Sequence, residues 1–178
     1  ITRNHKLAFV FRFIDQMEAA GFSAEGDAIL IAVEHPDTVY NPGTLGKIRD
    51  ITGSLADQFP EIEEDSITSL YTAENITADE WGLTVRPFYD EVPQSPEELR
   101  ALERAVSGNR MVQGKLVSDD GRSSLIIAEI SDDSFSPDFY KRLQAFAKKQ
   151  NGPETVHIAG RPVVEGEMTR LGPRDMAR

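Results

Sequence analysis

Two runs of the chain are apolar at successive positions, so that both faces of a strand there would be apolar. Residues 28–33, Ala-Ile-Leu-Ile-Ala-Val, lie between Asp27 and Glu34. Residues 124–130, Ser-Leu-Ile-Ile-Ala-Glu-Ile, form the only other stretch of this kind. A short β-branched run bounded by turn formers reads as a strand buried on both faces. Crossing a bilayer would take roughly 20 apolar residues, far more than either run supplies. Ile29, Ile31 and Val33 point one way, and Ala28, Leu30 and Ala32 the other. The two runs are therefore expected to be neighbouring central strands of one sheet.

Helical spacing dominates elsewhere. Leu7, Val10, Phe11, Ile14 and Met17 predict a helix over residues 5–20, capped by Asn4 and stopped by Gly21. Ala8, Phe9 and Phe13 widen its stripe until little polar face is left, so it must be covered on most sides. Asn41-Pro42-Gly43 opens a second helix, with Leu45, Ile48, Ile51, Leu55 and Phe59 inward and Pro60 as its end. Ser95-Pro96-Glu97-Glu98 carries a capping box, with Leu99, Leu102 and Val106 inward and Gly108 as stop. Ser136-Pro137-Asp138 repeats the cap and first-position proline ahead of Phe139, Tyr140, Leu143, Phe146 and Ala147. Lys148 and Lys149 suit the negative end of that helix, and Asn151-Gly152-Pro153 terminates it.

Weaker strands are expected at residues 66–72, where Ile67, Ser69 and Tyr71 alternate with Thr68 and Leu70, and at 155–159. Asp119-Asp120-Gly121 between residues 111–118 and 122–131 predicts a β-hairpin. The four acids around Ile62 read as a solvated turn rather than a calcium site. Residues 73–93 break the pattern. Leu83 begins a strand-like stretch interrupted by Pro87, next to the only Trp. Trp81, Phe88 and Tyr89 read either as a small satellite core or as an aromatic wall facing a ligand.

With residues 73–121 set aside as an insert, the order is strand, helix, strand, strand, helix, strand. That is the split βαβ repeat of an α+β, ferredoxin-like antiparallel sheet with its helices on one face. The first and third strands lie in the middle of that fold, and they are the two most apolar here. The helix-free face would show Leu30 and one apolar side of residues 124–130. An apolar sheet face seeks a cover: the insert, the first helix or a second such domain.

Charge narrows the partners. The 178 residues carry 19 Lys and Arg against 30 Asp and Glu, a formal charge of −11. Nucleic-acid binding needs basic patches, and docking on anionic lipid needs the same, so both are disfavoured. There is no Cys, which removes disulfides, Cys-zinc sites and thiol nucleophiles. His5, His35 and His157 lack companions at metal-ligand spacing, no Gly-x-Ser-x-Gly elbow occurs, and no Gly-rich phosphate loop is present. The loop after the first strand holds His35-Pro36-Asp37, an acidic sequence unsuited to cradling an anion. A non-enzyme with no catalytic residue, metal or cofactor is the expectation. Asn75-Ile76-Thr77 is a glycosylation sequon by letter only.

Several landmarks fall in a familiar order. They are Asn41-Pro42-Gly43-Thr44-Leu45; Ser69-Leu70-Tyr71-Thr72 with Asn75-Ile76; Leu83 to Pro87; Gly114-Lys115-Leu116-Val117-Ser118 with Asp120-Gly121; and His157-Ile158-Ala159-Gly160-Arg161-Pro162-Val163. Over residues 27–168 the chain resembles the first extracytoplasmic loop of RND-superfamily exporters of the MMPL-like, hydrophobe/amphiphile branch. The resemblance implies a porter domain on the periplasmic side of a proton-driven inner-membrane transporter. It would pair with a second porter domain of the same polypeptide and pass hydrophobic or amphiphilic, lipid-like compounds without chemistry.

On this reading residues 1–26 are a helix and linker following a transmembrane helix. Residues 27–162 are the porter domain, with its insert at about 73–121. Residues 163–178 lead to another transmembrane helix, and both ends read as cut from a longer protein that can be a homo-oligomer. Trp81, Phe88 and Tyr89 are the candidate substrate-path residues, since large flat rings suit lipid-like ligands. The competing expectation is a soluble ferredoxin-like domain that senses small ligands.

Overall fold

The computed structural model describes residues 28–130, 136–160 and 163. The expected first helix over residues 5–20 lies outside them, as does the exit segment beyond Val163. In chain order the elements are β1 (Ala28–Glu34), α1 (Pro42–Gln58), β2 (Glu74–Asp79), β3 (Gly82–Pro87), α2 (Pro96–Ser107), β4 (Ser123–Glu129), α3 (Pro137–Gln150) and β5 (Thr155–Ala159). The main sheet runs β4-β1-β5, and β2 and β3 form a separate two-stranded sheet.

The two apolar runs pair as expected. β1 lies antiparallel to β4, with Ile31 opposite Ile126 and Leu30 opposite Ile127. β5 pairs antiparallel along the other edge of β1, placing Ala159 opposite Leu30. This is an α+β domain with antiparallel sheets, compatible with a ferredoxin-like split βαβ arrangement. On one sheet face Ile29, Ile31, Val33, Ser124 and Ile126 are fully buried, and Ala128 is nearly so. The opposite face is not left in water: Leu125 is fully buried, Ala32, Ile127 and Ala159 are buried, and Leu30 is half-buried.

The second expected strand is a correction. Residues 66–72 form no strand; only Thr68 bridges to Ile127, and Ile62 bridges to Ile130 beyond a single turn of 3-10 helix. Side-chain oxygens outcompete the ladder here. Thr72 Oγ1 accepts from Ser69 N at 2.8 Å, and Ser69 Oγ accepts from Tyr71 N at 3.2 Å. The backbone then closes on itself through Ala73 N to Ser69 O at 2.9 Å. The apolar side chains still do their work, since Ile67 and Leu70 are buried.

The expected hairpin around Asp119-Asp120-Gly121 is half right. The turn closes through Gly121 N to Ser118 O and Ser118 N to Ser123 O, both 2.9 Å, with Gly121 at φ +67°. The Ser118 hydroxyl, donating at 2.6 Å, holds the Asp120 carboxyl below the usual range. The strand before the turn shrinks to one bridge, Val117 to Ser124. Residues 109–116 coil instead, with Gln113 N to Asn109 O at 2.9 Å and Leu116 N to Val112 O at 2.8 Å. That coil buries Val112, Leu116 and Val117 together.

The helices start where the caps predict. Asn41, Ser95 and Ser136 accept from Thr44 N, Glu98 N and Phe139 N, and each is followed by Pro. The Phe59 ring at the end of α1 meets Phe139 and Phe146 of α3 edge-on, at centroid distances of 5.7 and 5.5 Å. Arg142 lies over Phe59 and Phe139 and pairs with Glu61 and Asp138. Burial, then the Glu103 carboxylate, push the Tyr40 hydroxyl up to about 12.

Gly160 closes the sheet. Its φ of +116° and its position against β1 leave no room for a side chain: a Cβ would sit 2.4 Å from the Ala28 carbonyl oxygen. Gly160→Ala is expected to cost at least about 2 kcal/mol, since backbone strain and a backbone clash coincide. Gly53→Ala, on the exposed side of α1 with nothing within 4 Å, is expected to gain up to ~1 kcal/mol. Urea midpoints of the two variants check both signs.

Candidate functional site: a hairpin with its apolar face outward

β2 and β3 pair in register from Glu74 opposite Pro87 to Asp79 opposite Gly82. Directly opposed residues share a face, and the faces alternate along each strand. One face therefore carries Ile76, Ala78, Leu83, Val85 and Pro87, with Glu74 at its base. The other carries Asn75, Thr77, Asp79, Thr84 and Arg86. Ordinary amphipathic strands turn the apolar side inward. Here the polar side is partly covered only at Asn75 and Thr84, with Asn75 Oδ1 accepting from Asn109 Nδ2 at 3.2 Å, while Thr77, Asp79 and Arg86 on that side are exposed. Ile76, Val85 and Leu83 remain 59%, 51% and 76% exposed.

The tip is a two-residue loop, Glu80-Trp81. Trp81 N donates to Asp79 Oδ1 at 2.8 Å, fixing the turn while the indole stands 94% exposed. Glu74, Asp79 and Glu80 are exposed and make no ion pair among the described residues.

The three aromatic residues expected to share a wall are dispersed. Trp81 stands at the tip, about 20 Å of strand from the hairpin base. Phe88 follows that base and is half-buried against the core. Tyr89 is buried, its hydroxyl donates to Leu45 O at 3.0 Å, and its ring tilts against Tyr71 at 5.5 Å. Burial, with Tyr71 beside it, pushes the Tyr89 hydroxyl well above its ordinary value. Tyr89 is thus a buried packing residue that ties the insert to α1, and Trp81 alone of the three is exposed. The satellite-core expectation fits Phe88 and Tyr89 and fails for Trp81.

The hairpin itself escaped sequence reasoning. Ile76, Ala78, Leu83 and Val85 do alternate at strand period. Glu80-Trp81, however, is not one of the glycine- or asparagine-rich pairs that announce a two-residue turn.

The loop after β1 holds its donors inward. Asp37 N and Thr38 N both donate to His35 Nδ1 at 3.1 Å, so these backbone groups are occupied by the loop's own imidazole. His157 Nε2 lies 3.2 Å from Glu34 Oε2 across β1 and β5. Among the described residues no three of His, Asp and Glu converge as a metal site would require, and no helix is long and apolar enough to cross a membrane. No family model and no curated protein matches the chain.

Proposed function

We propose that the chain is the first extracytoplasmic porter domain of a proton-driven RND-type exporter, set on the periplasmic side of the inner membrane. It takes part in moving hydrophobic or amphiphilic, lipid-like compounds by binding and conformational change, without chemistry of its own. The observation that carries this reading is the hairpin whose apolar face looks away from the body. A domain that keeps its own core intact while offering a second apolar face is suited to packing as one body among several. The landmarks of the resemblance support it, since they fall at working positions. Asn41-Pro42-Gly43 caps α1, Leu83 to Pro87 is most of β3, and Asp120-Gly121 makes the turn into β4. His157-Ile158-Ala159-Gly160 ends β5 at the tight crossing over Ala28.

The coding sequence on either side of this chain tests the reading. Apolar stretches of roughly 20 residues close to each flank are expected. Polar flanks would overturn the exporter reading and leave a ligand-sensing domain in its place.

A further inference from the structure

We infer that Asn151-Gly152 is a latent modification site, which converts to aspartate or isoaspartate once the Lys47–Glu154 pair beneath it lets go. Nothing in this depends on the porter-domain reading.

The sequence supplies the reactivity. Of the Asn residues in the chain, Asn151 alone is followed by Gly, which has no side chain to crowd ring closure. Asn151, Gly152 and Pro153 are exposed, so water reaches them. In the reaction the Gly152 nitrogen gives its proton to hydroxide and bonds to Asn151 Cγ. The Cγ–Nδ2 bond breaks, and Nδ2 takes a proton from water and leaves as ammonia. Water then opens the succinimide at one carbonyl or the other. One opening gives aspartate; the other gives isoaspartate, which adds a carbon to the main chain.

The fold withholds both partners of the first step. Asn151 ends α3 with φ −60° and ψ 143°. That ψ sets the Gly152 nitrogen well outside the plane of the five-membered ring it must close. The Gly152 N–H is donated to Glu154 O at 3.0 Å, while Asn151 Oδ1 accepts from Val156 N at 2.8 Å. Nucleophile and electrophile are thus tied to different residues of the turn. Asp120-Gly121 could close the same ring, but an ionised carboxylate is a poor electrophile, and the Ser118 hydroxyl favours the ionised form of Asp120.

Glu154 is the lock. Its carboxylate is buried and held by Lys47 and Thr44 of α1. A Cβ on Gly152 would stand 3.2 Å from Lys47 Nζ and 3.6 Å from Glu154 Oε2, so the reactive amide lies directly against the pair. The product opposes relocking. It sets a new carboxylate close to that of Glu154, and isoaspartate also lengthens the connection from α3 to β5. The conversion therefore runs one way.

The test incubates the protein at mildly alkaline pH and follows residue 151 by peptide mapping with isoaspartate detection. Wild type is expected to convert about a hundredfold or more slowly when folded than in urea. Lys47→Met and Phe139→Ala weaken the fold by similar amounts, one at the lock and one at the far end of α3. Under native conditions Lys47→Met is expected to convert at least about tenfold faster than Phe139→Ala. Thr44→Ala, which strips one hydrogen bond from Glu154 and leaves its cation, gives the same ordering if Lys47→Met does not fold. Equal rates in the lock variant and Phe139→Ala overturn the lock, because conversion then follows global unfolding. Equal rates in folded and unfolded wild type, or no conversion at Asn151 in urea, overturn the site itself.

Discussion

Lys47→Met is expected to destabilise the domain by about 3–5 kcal/mol at pH 7, the cost of leaving a buried carboxylate without its cation. Glu154 is 4% exposed at the turn between α3 and β5. Lys47 Nζ pairs with its Oε2, and Thr44 Oγ1 donates to its Oε1 at 2.7 Å. Lys47 also donates to Gln150 O at 2.6 Å, so one side chain of α1 ties down the end of α3. Burial pushes the Glu154 carboxyl up, but the hydrogen bonds from Lys47 and Thr44 together outweigh it and hold it below the ordinary 4.5.

The sign with pH follows. A carboxyl whose folded value is depressed contributes its full stabilisation above about 4.5 and loses it as pH falls through the lower folded value. Without Lys47 the strongest lowering influence is gone, so the folded value rises relative to wild type. The variant then suffers most above 4.5, where the unfolded carboxyl is ionised. The gap in unfolding free energy between wild type and Lys47→Met is therefore expected to shrink from pH 7 to pH 4. Urea titrations at the two pH values read it directly. A gap that widens on acidification would contradict the assignment.

Phe139→Ala is expected to cost about 3–5 kcal/mol, comparable in size but different in kind. The ring is fully buried and stands edge-on to Phe59. Removing it opens a cavity where α1 and α3 meet and takes away one of the two rings beneath Arg142. For a domain of this size each kcal/mol shifts the thermal midpoint by about 2–4 °C, so a drop of roughly 6–20 °C is expected by circular dichroism. Phe139→Leu, which keeps most of the volume, is expected to lose much less.

These effects fall on elements that the sequence announces. The β1–β4 pair was legible because both strands are buried on two faces, so composition alone marks them. The caps of α1, α2 and α3 were legible because polar residue, proline and apolar period coincide at each. The segments that misled are those where local hydrogen bonds compete with the sheet. Ser69 and Thr72 turn the chain with their own oxygens, and Asn109 opens a coil where alternation suggested a strand.

The hairpin was hidden for a different reason. Its pattern is that of an ordinary amphipathic strand, and alternation does not say which face looks outward. Only the structure shows that the apolar face stays exposed at Ile76 and Leu83 while cover reaches Asn75 and Thr84. Trp81, Phe88 and Tyr89 looked like a set because they are close along the chain. An extended strand and a change of direction after Pro87 carry the first far from the last.

The crossing of Gly160 over Ala28 bears on how the domain would respond to a pull. The chain enters β1 and leaves β5 at one spot, because the two strands are antiparallel and Leu30 faces Ala159. Tension that draws these two points apart loads their ladder bonds singly, like a zipper, and meets little resistance. A pull shared by both points in one direction leaves the ladder unstressed and carries the body whole. Any pull keeps this domain intact only by drawing on inlet and outlet together.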